Sequence, residues 1–147
     1  MLFRSITPVY CGSSTTLAGV DMLLEGICHL LPCAADKASE VGTKGDELVE
    51  VNCTPDEPMA AYVFKTVADP FIGKLSYVKV ISGRLTPDMA PVNARTGNPE
   101  RLGKLIIPRG NKQEDCDGIG AGDIGAITKL NETITGDTLC DPKRVVS

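Results

Sequence analysis

One glycine-rich stretch of this sequence has the spacing of a dinucleotide-binding loop. Gly120, Gly122 and Gly125 satisfy G-x-G-x-x-G, which in a nucleotide-binding fold follows a buried strand and opens a helix. Here residues 114–117 are polar, and residues 126–130 predict a strand. The context is therefore wrong for a phosphate loop, and we interpret the stretch as a turn between strands.

No other residues are spaced for catalysis or for metal binding. The sequence has no G-x-x-x-x-G-K-[ST] loop that could wrap a nucleotide's phosphates. His29 is the only histidine, and neither a second histidine nor a C-x-x-C pair accompanies it, so a zinc site is not indicated. No serine or cysteine nucleophile is marked out beside it. We therefore predict no catalytic residue, no metal ion and no cofactor within these 147 residues.

Length and composition indicate one domain, or one domain with an attached piece. The chain has 147 residues, 42% of them hydrophobic, but no tryptophan and only three tyrosines and three phenylalanines, so the core must be built from aliphatic side chains. The six cysteines are not preceded by a secretory segment, and no apolar run reaches the roughly 18 residues of a membrane span. We therefore expect reduced thiols and a cytoplasmic protein.

The charges are segregated along the chain. Met1–Pro58 has three basic and nine acidic residues, Met59–Gln113 has nine and three, and Glu114–Ser147 has three and seven. The middle of an acidic chain is therefore basic.

The first 57 residues predict an incomplete α/β unit and a connection. Ile6–Tyr10 is a short apolar run that ends in a turn, and apolar residues at helical spacing then run from Val20 to Leu31, before Pro32. A single strand and helix cannot form a layer alone, so we interpret residues 1–34 as the last βα unit of a larger doubly wound domain. Residues 35–57 are expected to be a linker with at most a short strand at Leu48–Val51.

From residue 58 onward the sequence is typical of an antiparallel β domain. Met59–Leu85 contains two runs rich in β-branched and aromatic residues around the turn Asp69–Gly73, which predicts a hairpin. Further short strands follow between turn residues. These strands are predicted at Met89–Ala94, Arg101–Ile107, Ile124–Leu130 and Thr138–Cys140. The prediction for residues 58–147 is a mainly β fold, an antiparallel six- to seven-stranded Greek-key-type barrel.

A strip of basic residues is the strongest candidate for binding. It spans eighteen residues and contains one acid, Glu100. The strip consists of Arg95, Arg101, Lys104, Arg109 and Lys112. Such a strip suits contacts to phosphates, which supply affinity without sequence choice. A solvated face of the sheet explains the same residues equally well, and the charges alone do not separate the two.

Four sequence blocks carry a family resemblance. They are FKTVADPFIGKLSYVKVISG, NARTGNPERLGKL, AGDIGAITKL and TGDTLCDP, in that order. Together they resemble the second domain of bacterial translation elongation factor G, or of a close paralogue, from about Met59 to Pro142. A weaker resemblance, to the end of the GTPase domain, covers Pro8 to Pro32. The chain is thus similar to a fragment of such a factor.

The resemblance implies a function for the longer parent protein. Such a parent hydrolyses GTP with magnesium on the ribosome, and its barrel packs on its own GTPase domain and contacts RNA of the small subunit. The five basic residues of the strip would face that RNA. Gly12, Ser13 and Ser14 would be the guanine-contacting loop, although the family usually has alanine in place of Ser14. No membrane or DNA partner is implied, and an excised fragment could associate artificially with a second copy.

Two alternatives remain. One is a self-contained β-barrel binding module without enzymatic activity, which would bury the apolar side of the predicted helix. The other is a ribosome-protection or recycling factor of the same superfamily. Ile107-Pro108-Arg109-Gly110 departs from the methionine-histidine-alanine-like segment of the main elongation factors and fits a paralogue.

Overall fold

The structure is a computed structural model that describes residues 7–69, 73–110 and 112–147. It divides into two compact units, residues 1–33 and residues 34–147. No helix among the described residues has the length and apolar character needed to span a bilayer.

The described part of the first unit, residues 7–33, contains one helix, α1 (Val20–Leu30), which confirms the predicted helix. It begins after Gly19 and ends before Leu31, whose extended backbone is what a following proline favours. No residue of α1 is buried. The predicted strand Ile6–Tyr10 is not found in its described part, residues 7–10, because a strand forms only beside a neighbour to which it can hydrogen-bond. Ile6 lies outside the described residues.

The second unit starts with a short 3₁₀ helix (Ala34–Asp36) and a hairpin of β1 (Ser39–Lys44) and β2 (Glu47–Asn52). The segment expected to be a linker with one short strand thus holds two strands, paired antiparallel. β1 has no alternation of apolar and polar residues, which is why its sequence did not predict a strand. Pairing with β2 supplies its hydrogen bonds instead.

The long hairpin is confirmed as β3 (Ala60–Asp69) and β4 (Gly73–Ser82), which pair antiparallel along their lengths. The register shifts twice, between Ala60 and Ala61 and between Val63 and Lys65. The predicted turn includes residues 70–72, which lie outside the described residues.

Seven further short strands lie among the described residues of the β domain. They are β5 (Arg84–Leu85), β6 (Val92–Asn93), β7 (Leu105–Arg109), β8 (Lys112–Asp115), β9 (Ile119–Gly120), β10 (Ile124–Thr128) and β11 (Thr138–Cys140). The main sheet has seven antiparallel strands in the order β6-β11-β3-β4-β10-β7-β8, while β5 pairs with β9. The predicted mainly β, antiparallel fold is therefore confirmed. The glycine-rich stretch is a turn between β9 and β10, as expected.

The main hydrophobic core lies between the central strands and the shorter strands and is aliphatic, and a separate small cluster consists of Leu75, Ile106 and Ala126. The fully buried large side chains include Val63, Val78, Val80, Ile127 and Leu139, each 0% exposed. A smaller cluster of Val51, Ala60, Cys140 and Val146 lies beneath β1 and β2. Buried aliphatic side chains from the beginning and the end of residues 34–147 thus pack together and stabilise the β domain.

Two isoleucines on the same strand test this core. Ile127 of β10 is 0% exposed and Ile124 is 52% exposed. We expect Ile127→Ala to lower the free energy of unfolding by about 2–5 kcal/mol, because it leaves a cavity. Ile124→Ala should cost less than about 1 kcal/mol. Urea denaturation of both variants measures the difference, and equal losses would contradict the described core.

Candidate nucleic-acid interface

The structure places Arg95 in an internal ion pair. Its Nε donates to Asp137 Oδ1 at 2.7 Å, and its Nη2 donates to Asp137 Oδ2 at 2.9 Å. The same Nη2 also donates to the carbonyl oxygen of Glu132 at 3.1 Å. Because Asp137 is only 4% exposed, this is a bidentate, charge-assisted contact at the edge of the core. The main role of Arg95 is thus to pair with Asp137 within the fold, although about half of its side chain is exposed to solvent.

Asn93 completes the surroundings of Asp137. Its Nδ2 donates to Asp137 Oδ2 at 2.8 Å and to Thr133 Oγ1 at 3.1 Å, and its Oδ1 accepts from the Arg95 amide at 2.9 Å. The amide of Ile134 donates to Asp137 Oδ2 at 2.9 Å. The Arg95 guanidinium, helped by Asn93 and Ile134, lowers the pKa of Asp137 to about 2, although burial acts in the opposite direction.

Glu100, the only acid in the basic strip, is a second buried carboxylate. It is 3% exposed and accepts hydrogen bonds from the amides of Asn131, Glu132 and Thr133 at 3.1, 2.8 and 2.7 Å. The Thr133 hydroxyl donates to it at 2.7 Å. Burial by itself would raise the pKa of Glu100, but these four hydrogen bonds outweigh it and lower the pKa.

The two carboxylates tie together two loops that are distant in sequence. We call this set the carboxylate clamp, and it consists of Asn93, Arg95, Glu100, Thr133 and Asp137. Asn93, which precedes loop 94–100, and Arg95 and Glu100 within that loop form hydrogen bonds with loop 131–137. Neither loop can therefore move without breaking buried, charge-assisted hydrogen bonds. Sequence spacing did not reveal this pairing. The only sign was an isolated acid in a basic strip.

Two other strip residues form exposed ion pairs on the β7–β8 hairpin. Lys104 Nζ lies 2.6 Å from Asp115 Oδ2, and Arg109 Nε lies 3.6 Å from Glu114 Oε2. All four side chains are more than half exposed. Pairs of this kind contribute little to stability, so both cations can exchange their carboxylate for a phosphate at small cost.

Arg101 and Lys112 have no ion-pair partner among the described residues, and both are exposed. Lys112 begins β8, beside Arg109 of β7. Arg95 follows β6, which lies at the other end of the strand order. The structure therefore brings Lys104, Arg109 and Lys112 together on one hairpin and sets Arg95 apart from them.

Residues 12–14 belong to a tight loop of the first unit. The Ser13 amide donates to the Ala18 carbonyl oxygen at 3.0 Å, and Ser13 Oγ accepts from the Thr16 amide at 3.3 Å. A Cβ on Gly12 would lie 2.8 Å from that same carbonyl oxygen, so only glycine fits there. The amide and hydroxyl of Ser13 are thus engaged within the loop, while Ser14 is exposed. The guanine-contacting role of Gly12, Ser13 and Ser14 stays a prediction.

The described residues contain no group of three or more histidine, cysteine or acidic side chains arranged to hold a metal ion.

Comparison with known proteins agrees with this fold. Residues 58–142, more than half of the chain, match the family model described as Elongation factor G domain 2. A protein of Thermus thermophilus, known from a crystal structure, is 27% identical in sequence with a TM-score of 0.60, and the match covers 84% of this chain. This chain spans only 16% of the length of that protein.

The antiparallel sheet and the matched sequence blocks define a translation-factor domain. The chain belongs to the family of elongation factor G domain 2.

The carboxylate clamp predicts a specific acid sensitivity. The pKa of Asp137 is about 2 in the folded chain and about 3.9 in the unfolded chain. The contribution of ionised Asp137 to the free energy of unfolding is therefore complete above a pH of about 3.9. That contribution is lost as the pH falls toward 2. We expect the contribution of Asp137 to the free energy of unfolding at neutral pH to be about 2 kcal/mol.

Asp137→Asn should therefore lower stability at neutral pH and flatten the loss of stability between pH 4 and 2. Urea denaturation at a series of pH values measures both effects. The matched control is Asp117→Asn, because Asp117 is exposed. A wild-type pH profile in Asp137→Asn would show that the clamp does not stabilise the fold.

Proposed function

We propose that this chain is part of a translational GTPase of the elongation factor G kind, which acts in protein synthesis on the ribosome in the cytoplasm. The chain would comprise the end of the GTPase domain, a connecting segment and the second-domain barrel. The observation that carries the proposal is the family match across residues 58–142, which falls on the seven-stranded sheet. GTP and magnesium would bind in the parent protein, where residues outside this chain would hold the phosphates and the magnesium ion, and Gly12, Ser13 and Ser14 would contact the guanine base.

The apolar side of α1 supports a larger GTPase domain. Leu23, Leu24 and Ile27 are 41%, 57% and 43% exposed, although their helical spacing is that of a face that packs on a sheet. A self-contained module would be expected to bury these side chains. In the parent they would contact the remaining elements of the GTPase domain.

The RNA-facing role is proposed chiefly for the cations that the structure leaves exposed. Arg101 and Lys112 have no ionic partner among the described residues, and Lys104 and Arg109 have only exposed ones. Phosphates of the small ribosomal subunit would attract all four. Arg95 would contribute mainly by holding loop 94–100 in place through Asp137.

Charge reversal of the two exposed cations without an ionic partner among the described residues tests docking on the small subunit. In the parent protein, Arg101→Glu combined with Lys112→Glu should weaken binding to isolated small subunits. It should also reduce the slope of log affinity against log salt by roughly 1–2, because about two phosphate contacts are lost. The measurement is equilibrium binding at several salt concentrations.

Lys143→Glu is the matched control, because Lys143 is an exposed cation in the segment after β11. It should leave both the affinity and its salt slope near the wild-type values. Docking through the proposed residues would be disproved if the double variant and the control behaved alike.

The loop at residues 12–14 gives an independent test of the GTPase assignment. In the parent protein, Gly12→Ala should weaken the binding of guanine nucleotides by about tenfold, roughly 1.4 kcal/mol. The physical reason is that the new Cβ displaces the Ala18 carbonyl. Ser14→Ala should bind normally, because only a backbone contact is proposed at this position. Fluorescent GDP titrations compare the two, and unchanged binding in Gly12→Ala would remove this loop from the nucleotide site.

A further inference from the structure

The aromatic side chains of the β domain lie outside its main core. Tyr62, Phe64 and Tyr77 are the aromatic residues among the described part of residues 34–147. Tyr62 is 43% exposed and Phe64 is 38% exposed, and Tyr77 is half-buried. The main core contains none of them. Aromatic rings bury more apolar area than other side chains, so three rings placed at the surface of a domain with an aliphatic core point to a binding surface.

The pairing of β3 with β4 places these rings on one face of the sheet. Val63 of β3 pairs with Val78 of β4, and both side chains are 0% exposed. Successive residues of a strand point to opposite faces, so the cross-strand pairs on either side point away from the main core. These pairs are Tyr62 with Lys79, and Lys65 with Tyr77.

A β-bulge adds the third ring to this face. Lys65 and Val63 oppose successive residues of β4, which leaves Phe64 as the extra residue of β3. The ring centroids of Phe64 and Tyr77 lie 6.3 Å apart with an interplanar angle of 51°. Lys65 Nζ lies 5.9 Å from the centroid of the Tyr77 ring. We call this surface the aromatic–lysine patch, and it consists of Tyr62, Phe64, Lys65, Tyr77 and Lys79.

The patch has an excess of positive charge. The described residues of β3 and β4 include three lysines and one acid, Asp69 at the end of β3. Neither Lys65 nor Lys79 forms an ion pair with another described residue. Glu40 borders the same cavity as Tyr62 and Lys79, but it is ion-paired with Lys37 at 2.5 Å. Both lysines of the patch are therefore available to an anionic ligand.

Alternating rings and cations on a flat sheet match the chemistry of an unpaired nucleic-acid strand. Bases that are not paired stack on aromatic side chains, and cations beside the rings attract the phosphates that join those bases. Protein–protein interfaces are enriched in arginine and depleted in lysine, whereas both cations here are lysines. The composition of the patch therefore favours a nucleic-acid ligand over a protein ligand.

We propose that the aromatic–lysine patch binds an unpaired segment of RNA. Bases stack on the exposed rings of Tyr62 and Phe64, and Lys65 and Lys79 contact the phosphates. The inference rests on the proposed function in taking RNA as the ligand. It adds a surface made of different residues from the basic strip, and this surface contacts bases as well as phosphates.

The test compares two labelled strands by fluorescence anisotropy with the full chain. One is an unstructured RNA of about eight nucleotides, and the other has the same sugar–phosphate backbone without bases. The unsubstituted chain should bind the RNA roughly tenfold more tightly than the abasic strand, because only the RNA can stack. Tyr62→Leu combined with Phe64→Leu should remove this difference and leave the salt dependence of binding unchanged.

Two further variants separate stacking from charge. Lys65→Gln combined with Lys79→Gln should reduce the slope of log affinity against log salt by roughly 1 for both strands. Tyr10→Leu is the matched aromatic control, because Tyr10 is 38% exposed and belongs to the first unit. It should keep the preference for RNA. Slow hydrogen exchange at Val78, which is buried in β4, shows that each variant is folded.

Three results would overturn the proposal. They are equal affinity of the unsubstituted chain for both strands, no binding of the RNA at low salt, and an unchanged preference for RNA in the double leucine variant. Self-association of the chain that depends on Tyr62 and Phe64, measured by sedimentation, would also overturn it, because the occupant would then be a second copy. None of these results decides the docking test with Arg101 and Lys112, which measures binding of the parent protein to the small subunit.

Discussion

The β3–β4 pairing is the constraint on which the rest of the β domain depends. These two ten-residue strands lie side by side in the sheet, β11 pairs with β3, and β10 pairs with β4. Every other strand of the sheet attaches through one of those two neighbours. Val63, Val78 and Val80 bring the hairpin's apolar side into the core at 0% exposure. Losing this pairing would therefore separate the sheet into two parts with no shared hydrogen bonds.

Two buried carboxylates join loop 94–100 to loop 131–137. Glu100 and Asp137 accept hydrogen bonds from backbone amides, a hydroxyl, an amide side chain and a guanidinium. Such fully bonded buried carboxylates make a loop conformation specific, whereas a half-satisfied pair would destabilise it.

This clamp also changes how the basic strip is understood. A run of cations in sequence suggests one phosphate-binding surface, but the structure assigns different tasks to its members. Arg95 balances a buried carboxylate, Lys104 and Arg109 have exposed acidic neighbours, and Arg101 and Lys112 are exposed without an ionic partner among the described residues. The proposed attraction to RNA would therefore come mostly from Arg101 and from the cations of the β7–β8 hairpin.

Much of the fold was predictable from the sequence, and the reasons for the exceptions are local. The β3–β4 hairpin and α1 were predicted because their apolar residues recur at strand and helix periods. β8 was missed because Lys112–Asp115 is entirely polar and is a strand only through its pairing with β7. β1 was missed because its apolar and polar residues do not alternate, and it is a strand through its pairing with β2. The clamp was not predictable, because it joins residues more than thirty positions apart through side-chain geometry that no local pattern records.

The origin of this chain in a translational GTPase is tested most directly by sequencing the source coding region immediately upstream of the codon for Leu2. A reading frame that encodes a P-loop followed by D-x-x-G and N-K-x-D motifs is the predicted result, because these segments hold the phosphates, the magnesium ion and the guanine base. A frame that opens at Met1, with no such motifs before it, would contradict the assignment and leave a small β domain whose partner must be found by direct binding.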